Sequence, residues 1–501
     1  MNTATRKPSG TETPLVLALD IGTSSVRGAL YDARGAEVEG TQARVVRGLE
    51  TTADGGAELD AREAIEQTVQ VIDAVVAHAT GRGARIEAVA VSCFWHSLVG
   101  ADDRFEPLTP VFGWADTRAA RHAERLKRQR DEADAHARTG CRFHPSYWPA
   151  KLLWLREERP EIFHGVRRWM SFGELLSAHF FDEPTASVSM ASGTGMLNLR
   201  SCLWDGELLE TTGVRPEQMP ALAQTRAPLG KLADAYARRW PTLRDAQWFP
   251  AIGDGAANNI GVGCTTRARA ALMIGTSGAM RVMWEGEPPA PLPSALWCYR
   301  ADRSRVLTGG ALSDGGGLFS WMADALRLGA RAEETEQALA AMKPDAHGLT
   351  VLPFWAGERS TNWNPTARGA ILGLTMHTRP SDILRAAMEA IAYRFALVAR
   401  ALEPFAPGAE IVASGGALAA SNVWPQMLAD VLARPLHRAD ATEASSRGAA
   451  LLALEATGKL KSIADAEAPT VQTFEPDMNA HARYRAGLER HEQLYARLFN
   501  T

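Results

Sequence analysis

The 501-residue sequence predicts an α/β protein of two similar lobes. Three observations lead there. The chain opens on short strand patterns and then alternates helix and strand patterns, the order of a layered α/β fold rather than a helical bundle. The motif Ile21-Gly22-Thr23-Ser24-Ser25-Val26-Arg27 recurs about half a chain later as Ile274-Gly275-Thr276-Ser277-Gly278-Ala279-Met280-Arg281, each time between two apolar strands. The length also suits more than one domain.

The elements follow in order. Leu15–Asp20 is an apolar run that stops at a Gly-Thr turn, and Val26–Tyr31 and Val38–Val46 complete an antiparallel meander. Arg62–Ala79 has helical periodicity, and Ile86–Ser92 is a buried-type strand running into Cys93–Gly100. Thr117–Ala137 reads as one charged amphipathic helix, with shorter helices over Ala150–Arg156 and Phe172–His179. In the second half, Gly315–Leu328 and Ala332–Met342 are helical, and Leu349–Gly357 is strand into loop. Ser381–Leu402 is a long helix, and Glu410–Ser414 is a strand closing on Gly415-Gly416. Asn422–Leu432, Ala444–Thr457 and His481–Leu498 are further helices. The expected division is a disordered polar leader over 1–13, a first lobe over 14–249 and a second over 250–501.

Composition narrows the function. Charged residues make up 22% and hydrophobic residues 46%, as in a soluble globular chain, and the net charge of −4 argues against nucleic-acid or membrane-surface binding. There is no apolar signal core and no run long enough to span a bilayer. Five dispersed cysteines, with neither metal nor redox spacing, read as reduced thiols in the cytoplasm.

A Gly-Thr-Ser turn between strands offers clustered backbone N–H groups and hydroxyls to phosphate oxygens. A plain hairpin turn would use the same residues; the pairing of two such turns favours phosphate. Asp20 before the first turn can hold Mg²⁺ and Arg27 after it can neutralise phosphate, whereas the second turn has Met273 where the first has Asp20. Glycines flank Asp254, which by itself reads as a helix cap or as a carboxylate approached by a ligand. Trp95-His96, Asp116 and Arg142 with His144 place aromatic rings beside charged and hydrogen-bonding groups, as a polyol or sugar-acid pocket requires. Core packing for His96 and an N-cap for Asp116 are the competing readings.

Together these motifs resemble the FGGY family of carbohydrate kinases, which share the actin-like (ribonuclease H-like) fold. The resemblance runs from about Leu15 to Gly458. It rests on Asp20–Gly28, Gly253–Gly261, Ile274–Ala279, Leu352–Leu374 and Ser414–Ala450. It implies two actin-like lobes with ATP in the cleft between them. It implies that Gly22, Thr23, Ser24, Arg27, Gly275 and Thr276 hold phosphates and that Asp20 organises Mg²⁺. Asp254 would be the general base, with Gly315, Gly316, Gly415, Gly416 and Ala417 on the adenosine side. The segment after Ala417 is about a residue longer than usual, which leaves the adenine contacts near Leu418–Asn422 open.

His96 matches the substrate-contacting His of xylulokinase-like members, but Phe94-Trp95 stands where those usually have Gln-Met. The stretches Trp114–Arg118, Asp254–Asn259, Ile274–Arg281 and Arg138–Lys151 look closer to FGGY-type gluconokinases. The resemblance therefore implies phosphorylation of the terminal hydroxyl of D-gluconate. Trp95, His96, Asp116, Arg142, His144, Asp254 and Asn259 would line the sugar site, with Arg142 and Lys151 as candidate cations for the carboxylate. The alternatives are a xylulose, ribulose or polyol kinase, and an actin-like nucleotide-binding protein without sugar transfer. A homodimer is left open.

Overall fold

The computed structural model describes residues 15–328, 332–440, 443–466 and 468–499. The expected leader over 1–13 lies outside them.

Each lobe is organised on one sheet. In the first, Leu15–Ile21 and Ser25–Tyr31 pair antiparallel, and Ala43–Val46 adds antiparallel beyond them. On its other edge Leu15–Ile21 runs parallel to Ile86–Cys93, which takes Gln247–Trp248 and Ile252–Gly253, also in parallel. The second sheet repeats this plan. Arg269–Ile274 is antiparallel to Gly278–Glu285, followed by Arg305–Leu312. On the other edge it is parallel to Glu410–Ser414, and that strand to Leu436–Ala439. Trp297–Arg300 and Thr470–Phe474 extend the two edges. The short sequence repeat is therefore the visible part of a repeated topology. The first sheet takes strands as far as Gly253, a little past the expected boundary at Phe249.

Two sequence-based elements differ in extent. The third strand begins only at Ala43, because the chain turns at Gly40, at φ +70°, and the Thr41 hydroxyl, donating to Val38 O at 2.7 Å, takes the Leu30 N–H at 3.0 Å in place of a strand carbonyl. The charged helix over Thr117–Ala137 is two helices, Ala120–Gln129 and Glu132–Thr139. Asp131 interrupts them and starts the second by accepting from Asp134 N–H at 3.0 Å.

One apolar core surrounds the first sheet and another the second. The helix Ala444–Ala456 ties the second half of the chain to the first core: its Ala449–Leu454 side chains lie there with Leu15–Leu19. It crosses the helix Asp254–Gly261 at backbone contact, where a Cβ on Gly448 would fall 1.8 Å from Ala257 O and one on Gly261 1.8 Å from Ala444 O. These glycines set how closely the helices approach. All five cysteines are buried and none forms a disulfide. Among the described residues no helix is long and apolar enough to cross a membrane.

Candidate active site

The two Gly-Thr-Ser turns occupy matching places in the two sheets. Gly22 N–H donates to Ser25 O and Gly275 N–H to Ser277 O, both at 2.9 Å. Ile21 is opposite Val26 in the first hairpin and Ile274 opposite Gly278 in the second, so the second turn is one residue tighter. Asp20 faces Arg27 across the first ladder, and the same rung of the second holds Met273 and Ala279. The second turn thus lacks both charges, and Arg281 lies further along its strand. Arg47 fixes the first turn by donating from Nε and Nη2 to Gly22 O at 3.0 and 2.7 Å. Arg27 itself is paired with Glu443 at 2.8 Å, linking the first hairpin to the second half of the chain.

The glycine runs pack on the second turn. Gly316 N–H donates to Gly275 O at 2.8 Å and Gly317 N–H to Thr276 O at 2.9 Å. A Cβ on Gly315 would meet Ser277 C at 2.7 Å, and one on Gly415, at φ +100°, would meet Ile274 O at 2.4 Å. Both positions need glycine for that close approach. Beside them opens a cavity of about 870 Å³ lined by Gly275, Thr276, Gly316, Gly416 and Ala417, with Phe319 and Trp424 among its apolar walls. Glu336 closes one side, its Oε1 accepting from Asn422 and Val423 N–H at 2.9 and 3.0 Å.

A second, smaller pocket of about 90 Å³ is walled by both halves of the chain. Trp95, His96, Trp114 and Tyr147 come from the first half. Asp254, Arg281, Trp297, Tyr299, Arg359 and Trp363 come from the second, together with Ser277 and Gly278 of the second turn. Asp254 opens its helix; the cap position belongs to Gly253, and Asp254 Oδ1 accepts from Gly255 N–H at 2.8 Å. Burial raises the Asp254 carboxyl above its ordinary range, opposed chiefly by the Arg281 guanidinium. Trp95 is seated against Gly193, Gly253 and Gly255, and its Nε1–H donates to Ser189 O at 2.9 Å. His96, at φ +67°, bonds Gly193 O through Nδ1. Because a carbonyl only accepts, Nδ1 carries the hydrogen, and Nε2 of the neutral ring is an acceptor. Burial pushes the His96 pKa down to about 3. The Tyr147 and Tyr299 hydroxyls bond at 2.6 Å, closing the wall between the halves.

Four expected sugar-site residues stand elsewhere. Asp116 is buried in a bidentate pair with Arg118, which also binds Glu58, and is absent from the pocket wall. Arg142 pairs with Glu132 and donates to Ser294 O at 3.1 Å, outside the pocket. Asn259 is turned inward, with Nδ2 donating to Cys264 O at 3.2 Å. His144 lies behind the wall, its ring against Tyr147 and Trp363. Lys151, the other candidate cation, is buried with Nζ donating to Pro145 O and Ser146 O. The cations that do reach the pocket, Arg281 and Arg359, sit inside motifs the sequence reading had singled out for other residues.

Asp20 is bonded by Ser92 Oγ at 3.1 Å, and burial, reinforced by Asp254 and Glu443 and opposed by Arg27, raises its pKa to about 6.

Models of the N- and C-terminal domains of the FGGY family of carbohydrate kinases match residues 15–261 and 270–457. The chain is 30% identical to the gluconokinase of Bacillus subtilis (strain 168), over 90% of this chain and 89% of that protein. It is also 30% identical to the glycerol kinase of Trichlorobacter lovleyi, over 94% and 96%. The crystal structure of ligand-bound xylulose kinase from Lactobacillus acidophilus superposes with a TM-score of 0.88 at 26% identity, covering 97% of this chain and 98% of that one. The chain belongs to the FGGY family of carbohydrate kinases and is an ATP-dependent sugar kinase.

Proposed function

We propose that the protein transfers the γ-phosphoryl group of ATP to the terminal hydroxyl of D-gluconate, giving 6-phospho-D-gluconate and ADP. The observation that carries this reading is that Asp254, Ser277 and Gly278 line one pocket, so a proton acceptor and the phosphate turn meet at the same place. Asp254 takes the hydroxyl proton as the new P–O bond forms and the bond to the ADP oxygen breaks. Burial, by raising the Asp254 carboxyl, makes it a better proton acceptor than an exposed carboxylate. Catalysis then rests on positioning and charge more than on covalent chemistry.

ATP would place its adenosine in the larger cavity, against Phe319 and Trp424, and its phosphates along the two turns. The donor set at Asp20 fits Mg²⁺: a half-buried carboxylate, disfavoured as an anion by desolvation and by the charges of Asp254 and Glu443, is relieved by a divalent cation. Bound there, directly or through water, Mg²⁺ would neutralise phosphate charge. Gluconate is preferred because Trp95 replaces the residue typical of xylulose kinases and the stretches Trp114–Arg118 and Ile274–Arg281 look closer to gluconokinases, one of which is among the relatives.

A second reading, a pentulose or polyol kinase, is favoured by the pocket's small volume of about 90 Å³. The alternative of an actin-like protein without sugar transfer falls away with membership of a kinase family. A coupled ADP-release assay over sugar acids, ketopentoses and polyols tests the choice. Gluconate is expected to lead; strong xylulose or glycerol turnover with none on gluconate overturns it.

A further inference from the structure

The acceptor pocket carries more positive charge than its own carboxylate offsets. Of its lining groups, Asp254 is the one acid, while Arg281 and Arg359 are both cations and are 3% and 9% exposed. His96 contributes no charge, since burial keeps its ring neutral while Nδ1–H is held by the Gly193 carbonyl. Among the described residues neither arginine is in an ion pair. Arg281 donates from Nη2 to Asn258 Oδ1 at 3.1 Å, and Arg359 from Nη2 to Leu312 O at 2.8 Å; the Nε of each is buried without a partner. Asp314 stands behind Arg359, outside the pocket wall, with its carboxylate accepting from Ala356 N–H at 3.1 Å. A buried charge left uncompensated is costly, so the pocket is built for an anion.

The two arginines have different neighbours. Arg281 packs beside the base: its Nη1 lies 2.4 Å from where a Gly255 Cβ would be, and Gly255 directly follows Asp254. The Arg359 guanidinium lies over the Trp114 ring, 4.7 Å from its centroid, and enters the pocket from the Leu352–Leu374 stretch. We infer that Arg359 is the residue that reads the acceptor's carboxylate, so that a sugar acid binds with its acid group on Arg359 and Trp114 and its terminal hydroxyl at Asp254. This inference rests on the reading of the pocket as a sugar-acid site. An arginine fork suits a carboxylate because it can donate two parallel hydrogen bonds, which lysine cannot copy. The anion could also be the transferring phosphoryl group, which is common to every acceptor; the two sources differ in what they do to acceptor preference.

The test is the ratio of kcat/KM for D-gluconate to kcat/KM for D-glucitol, the same chain with CH₂OH in place of the carboxylate. In the wild type the ratio should be on the order of 100 or more, as for a polar site facing an analogue that lacks its partner. Arg359→Met should collapse it about 100-fold, and Arg359→Lys about tenfold, keeping the charge but losing the fork. An unchanged ratio, with both acceptors depressed alike, would assign Arg359 to the phosphoryl group and overturn the inference. So would a wild-type enzyme that prefers glucitol, a result that needs no variant to fold. If the wild type ignores gluconate but favours another aldonate over its own polyol, and Arg359→Met erases that preference, the inference stands and only the choice of D-gluconate falls.

Discussion

Replacing Gly253 by alanine should damage acceptor binding while sparing the nucleotide site. An ideal Cβ there would lie 1.8 Å from Trp95 Cε2 and 2.1 Å from Nε1. Ordinary contact begins near 3.4 Å, so the ring must move by about 1.6 Å (3.4 minus 1.8). It has little room to retreat. Gly193 and Gly255 press on its other atoms, with Cβ positions 2.4 and 2.6 Å away, and its Nε1–H is tied to Ser189 O. The remaining direction is into the acceptor pocket that Trp95 lines. Overpacking of this kind costs about 1–3 kcal/mol. If most of that falls on acceptor binding, KM rises about tenfold to a hundredfold, at 1.4 kcal/mol per decade. The ATP cavity is lined by other residues, so KM for ATP should stay close to wild type. Steady-state kinetics with each substrate varied in turn, beside a thermal melt, measures both. A folded Gly253→Ala enzyme with unaltered acceptor KM would refute the seating of Trp95 as the reason for glycine here.

Gly415→Ala should have the opposite selectivity, raising KM for ATP above all, because a Cβ at φ +100° would meet Ile274 O at 2.4 Å and distort the second turn. Asp116→Asn should lower the melting temperature, with a loss on the order of 3 kcal/mol for a broken buried ion pair, and should leave acceptor KM without a selective change; a specific rise in acceptor KM would return Asp116 to the sugar site. Asp20→Asn should abolish efficient turnover yet stabilise the nucleotide-free protein above pH 6. The folded pKa of Asp20 is raised from 3.8 to about 6, so the native state binds the proton more tightly. Its contribution is present below the unfolded value and lost as pH rises through the folded one. Thermal melts of both proteins from pH 4 to 8 should diverge across that window, and parallel curves would count against a raised Asp20 pKa.

The sequence was most legible where chemistry is local. The turns, their flanking strands and the difference between Asp20 and Met273 could be read directly, since a Gly-Thr-Ser hairpin needs only its neighbours. Even there the repeat is inexact: both copies end in arginine, but the tighter second turn puts Ala279, not Arg281, on the rung of Arg27. The acceptor pocket was read only in part. Trp95, His96 and Asp254 do meet in it, but Asp116 and Arg142 are satisfied by nearby partners, Arg118 and Glu132, and never reach it. A charged residue in an aromatic stretch looks the same whether it faces a ligand or a neighbour. Tyr299 went unread because it arrives from a distant strand with nothing near it to mark that destination, and Arg359 because its stretch Leu352–Leu374 matched the family as a whole without showing which side chain enters the pocket. Asn259 sits five residues beyond the base, about 140° around the helix, where it is buried against Cys264 instead of turned to the pocket.

The most direct measurement is turnover by Asp254→Asn on the best acceptor, with binding of acceptor and ATP followed separately by calorimetry. Asn keeps the shape and the hydrogen bond from Gly255 N–H but cannot accept the hydroxyl proton. The account predicts that both ligands still bind and that kcat falls by about 10²–10⁴-fold. Phosphorylation at the wild-type rate by a protein carrying asparagine at this position would contradict it.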